Sequence, residues 1–169
     1  MIYDIVKEPN PILHRRSADV DSKQISAPEF QKFIKDMVET MYAKDGVGLA
    51  AVQVGKSIQV CVIAKAYNPL DQKGDLCLIN PVWSRSGVKM TWDEEGCLSV
   101  PGTYGQVKRY VKIKVKALDK HGKKLEFLVD GFFARIVQHE ADHLNGTLFI
   151  EKAKDLHEVD PLIWKKENR

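Results

Sequence analysis

Two histidines stand four residues apart in the segment Gln-His-Glu-Ala-Asp-His-Leu-Asn, which begins at residue 138. On an α-helix this spacing places His139 and His143 on one face, about one turn apart, where both imidazoles can bind the same metal ion. Glu140 then lies beside the metal without being a ligand, which is the position that a general acid/base occupies. The segment therefore predicts a helix whose motif-bearing face is packed into the protein.

Cys97 offers a third metal ligand from a distant part of the chain. It follows Gly96 and has polar residues on one side, as is typical of an exposed loop or a strand end. Three protein ligands and one open position are the pattern of a catalytic metal site, whereas a structural zinc site is normally closed by four ligands. Taken alone, the helix motif leaves another interpretation open, in which the two histidines are unrelated.

Length and composition limit the classes of protein to consider. The 169 residues predict one domain, residues 1–169, and the net charge of +3 is too small to indicate a nucleic-acid-binding protein. No secretory signal and no apolar run long enough to cross a bilayer is visible. The three cysteines do not form a disulfide pattern. Cys61 and Cys77 lie in apolar runs and are expected to be buried, and a reducing cytoplasm fits this composition best.

The N-terminal half contains one amphipathic helix. Apolar residues recur there at helical spacing over 27–44. They are Phe30, Phe33, Ile34, Met37, Val38 and Met41. Ser26 and Glu29 have the spacing of a capping box at the start, and Gly46 is expected to end the helix.

The rest of the chain predicts strands and then the motif-bearing helix. The sequence indicates short strands at 58–64 and 76–79, the second one ended by Asn80-Pro81. Residues 110–118 alternate between apolar and lysine side chains, as in a half-buried antiparallel strand, and a turn leads to a partner strand at 124–129. The helix then spans about 131–144. The predicted fold class is α+β, with antiparallel β-sheets packed around a central helix that carries the HExxH motif and with an N-terminal amphipathic helix.

Three segments closely resemble, in the same order, the three signature motifs of the peptide deformylase family. They are Gly-Val-Gly-Leu-Ala-Ala-Val-Gln at 46–53, Glu-Gly-Cys-Leu-Ser at 95–99 and Gln-His-Glu-Ala-Asp-His at 138–143. The resemblance covers about residues 3 to 152. It implies an enzyme that removes the formyl group from the N-terminal formylmethionine of nascent polypeptides and releases formate.

The resemblance also implies which residues perform the chemistry. Cys97, His139 and His143 match the ligands of one divalent metal, which is Fe(II) in typical family members, with zinc, nickel or cobalt accepted in its place. Glu140 matches the catalytic acid/base. Gln53, through its side-chain amide, and Leu98, through its backbone N–H, match the groups that stabilise the oxyanion.

The substrate-binding and supporting residues are likewise implied by position in the family. The pocket for the formyl-Met peptide is expected to include Val47, Gly48, Glu95, Gly96, Tyr104, Phe132 and Arg135. For Arg135 a wall of the pocket and a solvated helix position both stay open. The extended peptide is expected to pair with exposed backbone near Val47 and residues 102–105. Arg109, Glu95 and Asp142 are predicted to form a charge network that holds the Cys97 loop against the helix.

Two rival functions fit parts of the sequence. A zinc endopeptidase shares the helix motif but lacks the Gly-Cys-Leu-Ser segment. A small metal-binding or RNA-binding module is suggested by Lys112, Lys114 and Lys116, although such a run of charges more often forms a solvated face. The expected partners are formyl-Met nascent peptides and, transiently, the ribosome; no membrane and no sequence-specific nucleic acid is expected. Of the C-terminal residues, only Lys165, Lys166 and Arg169 add basic character, and an organellar or phage source stays open beside a bacterial cytoplasm.

Overall fold

The computed structural model describes residues 1–70 and 74–160 and contains two α-helices and eight β-strands in that part of the chain. The helices are α1, Pro28–Ala43, and α2, Gly131–Leu144. The strands are β1 (Gly48–Ala50), β2 (Val60–Ile63), β3 (Leu76–Arg85), β4 (Met90–Cys97), β5 (Val100–Tyr110), β6 (Lys112–Leu118), β7 (Lys124–Asp130) and β8 (Lys154–Glu158). The fold class is therefore α+β, as predicted.

The strands form two antiparallel sheets, and α2 contacts both of them. The five-stranded sheet has the order β1-β2-β3-β6-β7, and the three-stranded sheet has the order β4-β5-β8. Helix α2 packs on β1, β2, β3, β6 and β7 of the first sheet and on β5 of the second. Its buried side chains include Ile136, Val137 and Leu144, so the motif-bearing helix is central, as expected.

Helix α1 begins two residues after the predicted cap. Ala27 occupies the N-cap position and no side chain caps the helix, so the capping box expected from Ser26 and Glu29 is wrong. Pro28 explains the difference, because its fixed φ suits the first helical position and its missing N–H needs no partner. The helix buries an apolar face against β1 and β2, with Ile34, Met37 and Met41 at its centre.

Strand β3 continues through the Asn80-Pro81 pair that was expected to end it. The register with β6 shifts between Ile79 and Val82, which marks a bulge at this point. Asn80 has a φ of 50° there. Its side chain accepts a hydrogen bond from the backbone N–H of Val20 (2.8 Å) and donates one to the Val20 carbonyl (2.9 Å). These two hydrogen bonds hold the bulge against the N-terminal segment, and β3 continues beyond Pro81 instead of ending there.

In the described part of the chain, neither helix has the length and apolar character needed to cross a bilayer. All three cysteines are free thiols. Cys61 and Cys77 are buried, as predicted.

Gly146 ends α2 and is expected to tolerate no larger residue. Its φ is +77°, and a Cβ there would lie 2.7 Å from the backbone nitrogen of Arg15. Gly122 has a matching φ of +80°, but the nearest atom to its Cβ position is 3.8 Å away. Gly122→Ala should therefore cost only the conformational strain, about 1 to 2 kcal/mol, whereas Gly146→Ala should cost about 1 to 3 kcal/mol more through overpacking. Urea unfolding measures both, and equal losses would contradict this explanation.

Candidate metal centre

Helix α2 and the end of strand β4 bring three possible metal ligands together. His139 and His143 lie on one face of α2, and their Nε2 atoms are 3.2 Å apart. Cys97 is the last residue of β4, and its Sγ lies 3.1 Å from Nε2 of His143. All three donor atoms lie within 4.8 Å of one another. The structure thus places the three sequence-predicted ligands in one cluster.

The donor set fits a divalent transition metal. One thiolate and two imidazoles suit zinc, iron, nickel or cobalt, and three protein ligands leave a position for water or substrate. The second ring nitrogen of His139 has the partner that a metal ligand usually has, because its Nδ1–H donates to Oε2 of Glu95 at 2.9 Å. This bond fixes the ring so that Nε2 faces Cys97 and His143.

The charges of the cluster favour the thiolate form of Cys97. Burial alone would raise the pKa of this thiol, but the charges and hydrogen bonds of His143 and His139 hold it well below the usual value. For His139, burial lowers the pKa, whereas hydrogen bonds to Cys97 and Glu95 raise it to about 10. A thiolate is the form of cysteine that binds metals, and a metal would displace the proton that His139 otherwise holds at its ligand nitrogen. The cluster is therefore ready to exchange protons for a cation.

Glu95 is the centre of a buried charge network behind the ligands. Arg109 donates from Nε to Oε1 (2.9 Å) and from Nη2 to Oε2 (2.8 Å) of this carboxylate, and Arg135 donates from Nη1 to Oε1 (2.7 Å). Burial favours the neutral carboxyl, but the hydrogen bonds from Arg109 and His139 hold the pKa of Glu95 well below its usual range. The network therefore keeps a charged acceptor against the ring of His139.

Asp142 extends the network along α2. Its carboxylate accepts a hydrogen bond from Nη1 of Arg109 and one from Nζ of Lys152 at 2.7 Å. Arg109 lies on β5, Glu95 on β4 and Asp142 on α2. The three side chains thus link the strand pair that carries Cys97 to the helix that carries both histidines, which is the arrangement expected from the sequence.

Glu140 points its carboxylate into the space beside the ligands. The residue is 4% exposed, and its Oε2 has no hydrogen-bond partner among the described residues. Burial raises the pKa of Glu140, and the nearby His139 and His143 partly offset this. A Cβ at Gly48 would lie 2.5 Å from Oε1 of Glu140. Only glycine at position 48 lets the carboxylate approach β1 this closely.

Gln53 is buried next to the cluster. Its side-chain oxygen accepts a hydrogen bond from the backbone N–H of Ala50 at 2.9 Å. Its Nε2 donates to Oγ of Ser99 (3.2 Å) and to Sγ of Cys97 (3.5 Å). Without the family resemblance, the sequence favours an exposed polar residue after a helix at this position, and the burial of Gln53 shows that this interpretation is wrong. The residue is 2% exposed, and its amide nitrogen lies beside the thiolate.

A cavity of about 550 Å³ opens onto the cluster, and every side chain or backbone position predicted to line the substrate pocket belongs to a residue in its wall. Arg135, for which two interpretations were open, is 5% exposed and forms part of the wall. The predicted residues in the lining are Val47, Gly48, Gln53, Glu95, Gly96, Cys97, Leu98, Tyr104, Phe132, Arg135, His139 and Glu140. His143, Arg109 and Asp142 support the site from outside this lining.

The cavity also includes residues that the sequence analysis did not predict. Ile136 lies three residues before His139, so the helical spacing already pointed to it. Tyr67 contributes from the segment after β2, with its ring 5.3 Å from that of Phe132. No pattern in the sequence indicated Tyr67, because the contact joins residues that are far apart in the chain.

The free backbone edge at the cavity belongs to β1 and not to β5. Strand β1 is the edge strand of the five-stranded sheet. Residues 102–105 lie in β5, which is paired with β4 on one side and β8 on the other. The expectation that an extended peptide pairs with residues 102–105 is therefore wrong, because β8 already occupies that edge. In the described part of the chain, the edge near Val47 is still available for pairing with an extended peptide.

Comparison with known proteins identifies the family to which the chain is similar. A sequence model of the polypeptide deformylase family matches residues 2–159. The peptide deformylase of Symbiobacterium thermophilum is 46% identical over 161 residues, which are 94% of this chain and 70% of that protein. The peptide deformylase of Fusobacterium nucleatum is 42% identical over 166 residues, which are 98% of this chain and 91% of that protein.

A solved structure has the same fold. The class I type b peptide deformylase from Acinetobacter baumannii, in its Met-Ala-Ser-bound crystal structure, superimposes with a TM-score of 0.83. It is 37% identical, and the match covers 90% of this chain and 98% of that one.

Removal of Arg109 tests the charge network. Arg109→Ala leaves the buried Glu95 and Asp142 without their shared partner, which should lower the free energy of unfolding by about 3 to 5 kcal/mol. Metal affinity should fall by about 10- to 100-fold, because Glu95, the acceptor of His139, is then held by Arg135 alone of the two arginines. Urea unfolding and metal titration measure the two effects.

Arg16→Ala is the matched control. Arg16 pairs with Asp19 on the surface, where its side chain is 60% exposed, so its loss should cost less than about 1 kcal/mol. Unchanged metal content and turnover in Arg109→Ala would refute the supporting role of the network.

Proposed function

The chain belongs to the polypeptide deformylase family and removes the formyl group from the N-terminal formylmethionine of nascent polypeptides; we propose that it does so at the cluster of Cys97, His139 and His143, with Glu140 as the acid/base. The observation that carries this assignment of residues is the position of Glu140. Its buried and partly unpartnered carboxylate lies beside three converging metal ligands, at the wall of a substrate-sized cavity.

The reaction needs a nucleophile made from water and a proton for the leaving amine. Cys97, His139 and His143 would hold a divalent metal, and this ion would supply Lewis-acid chemistry, which can lower the pKa of water from about 15.7 to about 7 and polarise a carbonyl oxygen. Glu140 accepts the proton of the attacking water at its carboxylate and delivers it to the amine of the methionine as the C–N bond breaks. Its Oε2 has no partner among the described residues and is therefore free to hold this proton.

Gln53 and Leu98 are the proposed oxyanion donors. Both residues line the cavity, Leu98 follows Cys97 directly in the chain, and the side-chain nitrogen of Gln53 lies 3.5 Å from Sγ of Cys97. Such donors stabilise charge that develops on the former carbonyl oxygen, and the loss of one typically costs about 2.7 to 4 kcal/mol. The chemistry thus uses groups whose positions the fold fixes before substrate arrives.

The peptide itself is proposed to extend the five-stranded sheet. Strand β1 offers an edge without a partner strand among the described residues, and Val47 and Gly48 lie at the cavity. Backbone hydrogen bonds to an edge give affinity without sequence preference. The methionine side chain then enters the part of the cavity between Val47, Phe132 and Arg135, where apolar surface is available.

Formate release from a formyl-Met tripeptide tests the role of Glu140. Glu140→Ala should slow formate release strongly while metal stays bound, because the ligands are unchanged and only the proton carrier is lost. A fall in kcat by about 10²- to 10⁴-fold is expected for a general acid/base.

Glu126→Ala is a suitable control, since this exposed carboxylate pairs with Lys114 and Lys116 and is not in the cavity lining. Its turnover should equal that of the unmodified protein. Turnover retained in metal-loaded Glu140→Ala would assign the proton transfer to another group.

Fe(II) is the proposed cellular metal, on the basis of the family resemblance and of a ligand set that accepts it. A thiolate beside a redox-active metal can be oxidised in air, whereas nickel gives no such path. Iron-loaded protein should therefore lose activity in air faster than nickel-loaded protein, measured as the half-life of deformylation. Equal half-lives would argue against iron.

Three broader features belong to the same proposal. Residues 1–169 act as one catalytic domain, which a single unfolding transition would support and two separate transitions would contradict. The enzyme works in the cytoplasm, and cell fractionation would test this by showing in which fraction the protein is found.

It also associates transiently with ribosomes, and co-sedimentation with ribosomes would test this association. Lys165, Lys166 and Arg169, the basic residues considered for docking, lie outside the described residues.

A further inference from the structure

Ser99 is a fully buried polar residue at the metal centre to which the proposed chemistry gives no task. It is 0% exposed and ends the Glu-Gly-Cys-Leu-Ser segment. Its hydroxyl oxygen accepts a hydrogen bond from Nε2 of Gln53 at 3.2 Å. Burial of a hydroxyl group lowers the free energy of unfolding unless the group is hydrogen-bonded. The hydrogen bond to Gln53 is therefore the contact to consider when a role for Ser99 is sought.

The carboxamide of Gln53 needs partners to hold one orientation. The terminal torsion of a glutamine side chain is broad and has no strong preference of its own. The N–H of Ala50 fixes the oxygen end at 2.9 Å, which directs the nitrogen end toward Ser99 and Cys97. Nε2 carries two hydrogens. One is donated to Ser99, and the other points at Cys97 over a longer distance of 3.5 Å.

The two N–H groups of Gln53 therefore have different surroundings. The bond to Ser99 lies inside the protein, where both side chains are buried. The other N–H donates to Sγ of Cys97 at 3.5 Å, and Gln53 lines the cavity. A thiolate that holds a metal would share its charge with the cation, whereas an oxyanion accepts a charge-assisted hydrogen bond from an N–H. An oxyanion in the cavity would be the better acceptor for this second N–H.

The backbones of both residues are fixed without the serine hydroxyl. The N–H of Glu8 donates to the Ser99 carbonyl at 2.9 Å, and the N–H of Val6 donates to the Gln53 carbonyl at 2.8 Å. The N–H of Ser99 itself donates to Sγ of Cys97 at 3.4 Å. Loss of the hydroxyl alone should therefore leave the chain path and the thiolate contact intact.

We propose that Ser99 is a positioning residue for catalysis, whose hydroxyl holds one N–H of Gln53 so that the other is aimed at the developing oxyanion. Without this acceptor, the nitrogen end of the carboxamide is held only by the hydrogen bond to Cys97. The inference rests on the oxyanion role proposed for Gln53 and adds the group that orients it.

A double-mutant cycle with the metal-loaded protein tests this inference. Ser99→Ala should lower kcat for a formyl-Met tripeptide about tenfold, or about 1.4 kcal/mol, with little change in KM. Gln53→Ala should lower kcat by about 10²- to 10³-fold. In the Gln53→Ala background, Ser99→Ala should have less than about a twofold effect, because the residue acts only through Gln53.

Ser17→Ala supplies the control for loss of a buried serine hydroxyl. Ser17 is 0% exposed, and its Oγ has no hydrogen-bond partner among the described residues. This substitution should leave kcat unchanged. Metal content and the thiolate absorption of cobalt-loaded Ser99→Ala should match the unmodified protein, since the N–H of Ser99 still contacts Cys97. Its Tm should fall by only a few degrees, because one buried hydrogen bond is lost.

Three results would overturn the inference. Unchanged kcat in Ser99→Ala would show that Gln53 needs no such partner, while the role of Gln53 would stand. Effects that multiply in the double variant, or a loss of metal or of Tm that accounts for the lower kcat, would assign Ser99 a structural role. Full activity in Gln53→Ala would remove the proposed oxyanion role and this inference with it.

Discussion

The buried carboxylate of Glu95 joins the three-stranded sheet to helix α2, and the geometry of the metal centre depends on this junction. Two arginines, Arg109 and Arg135, share the carboxylate, and His139 donates to it from the ring nitrogen that faces away from the metal ligands. Neither arginine could be buried without a counter-charge, and Glu95 could not stay ionised without them. The ion pairs that connect the strands to the helix therefore also orient His139, a candidate metal ligand. The same contacts stabilise the fold and position the site.

The positions of the two sheets explain why the cavity forms beside this junction. Helix α2 packs against both sheets and presents its histidines where β4 ends at Cys97. Strand β1, at the edge of the five-stranded sheet, approaches Glu140 so closely that position 48 has no room for a side chain and is occupied by glycine. A peptide laid along this edge would bring its N-terminal group to the metal ligands. The proposed acid/base, the candidate ligands and the proposed docking edge are thus positioned by packing between α2 and the two sheets.

The sequence predicted the elements that follow a regular period and missed those that do not. Both helices and the β6–β7 hairpin bury one face, so their patterns are clear. Strand β4 is mostly exposed and polar and pairs with β5, so it carries no such pattern. The metal ligands and Glu140 could be chosen from spacing and family resemblance. The burial of Arg135 could not, because its partner Glu95 is 40 residues away, and the contact of Ser99 with Gln53 spans 46 residues.

X-ray absorption at the zinc edge of zinc-loaded protein tests the central claim most directly, since it reports the ligand atoms around the metal. The account predicts one sulfur at about 2.3 Å and two imidazole nitrogens at about 2.0 to 2.1 Å, with the remaining position filled by a lighter atom. The sulfur contribution should vanish in Cys97→Ser, while Cys61 and Cys77 remain in place. A first shell made only of nitrogen and oxygen, or one unaffected by loss of Cys97, would contradict the assignment of the metal centre.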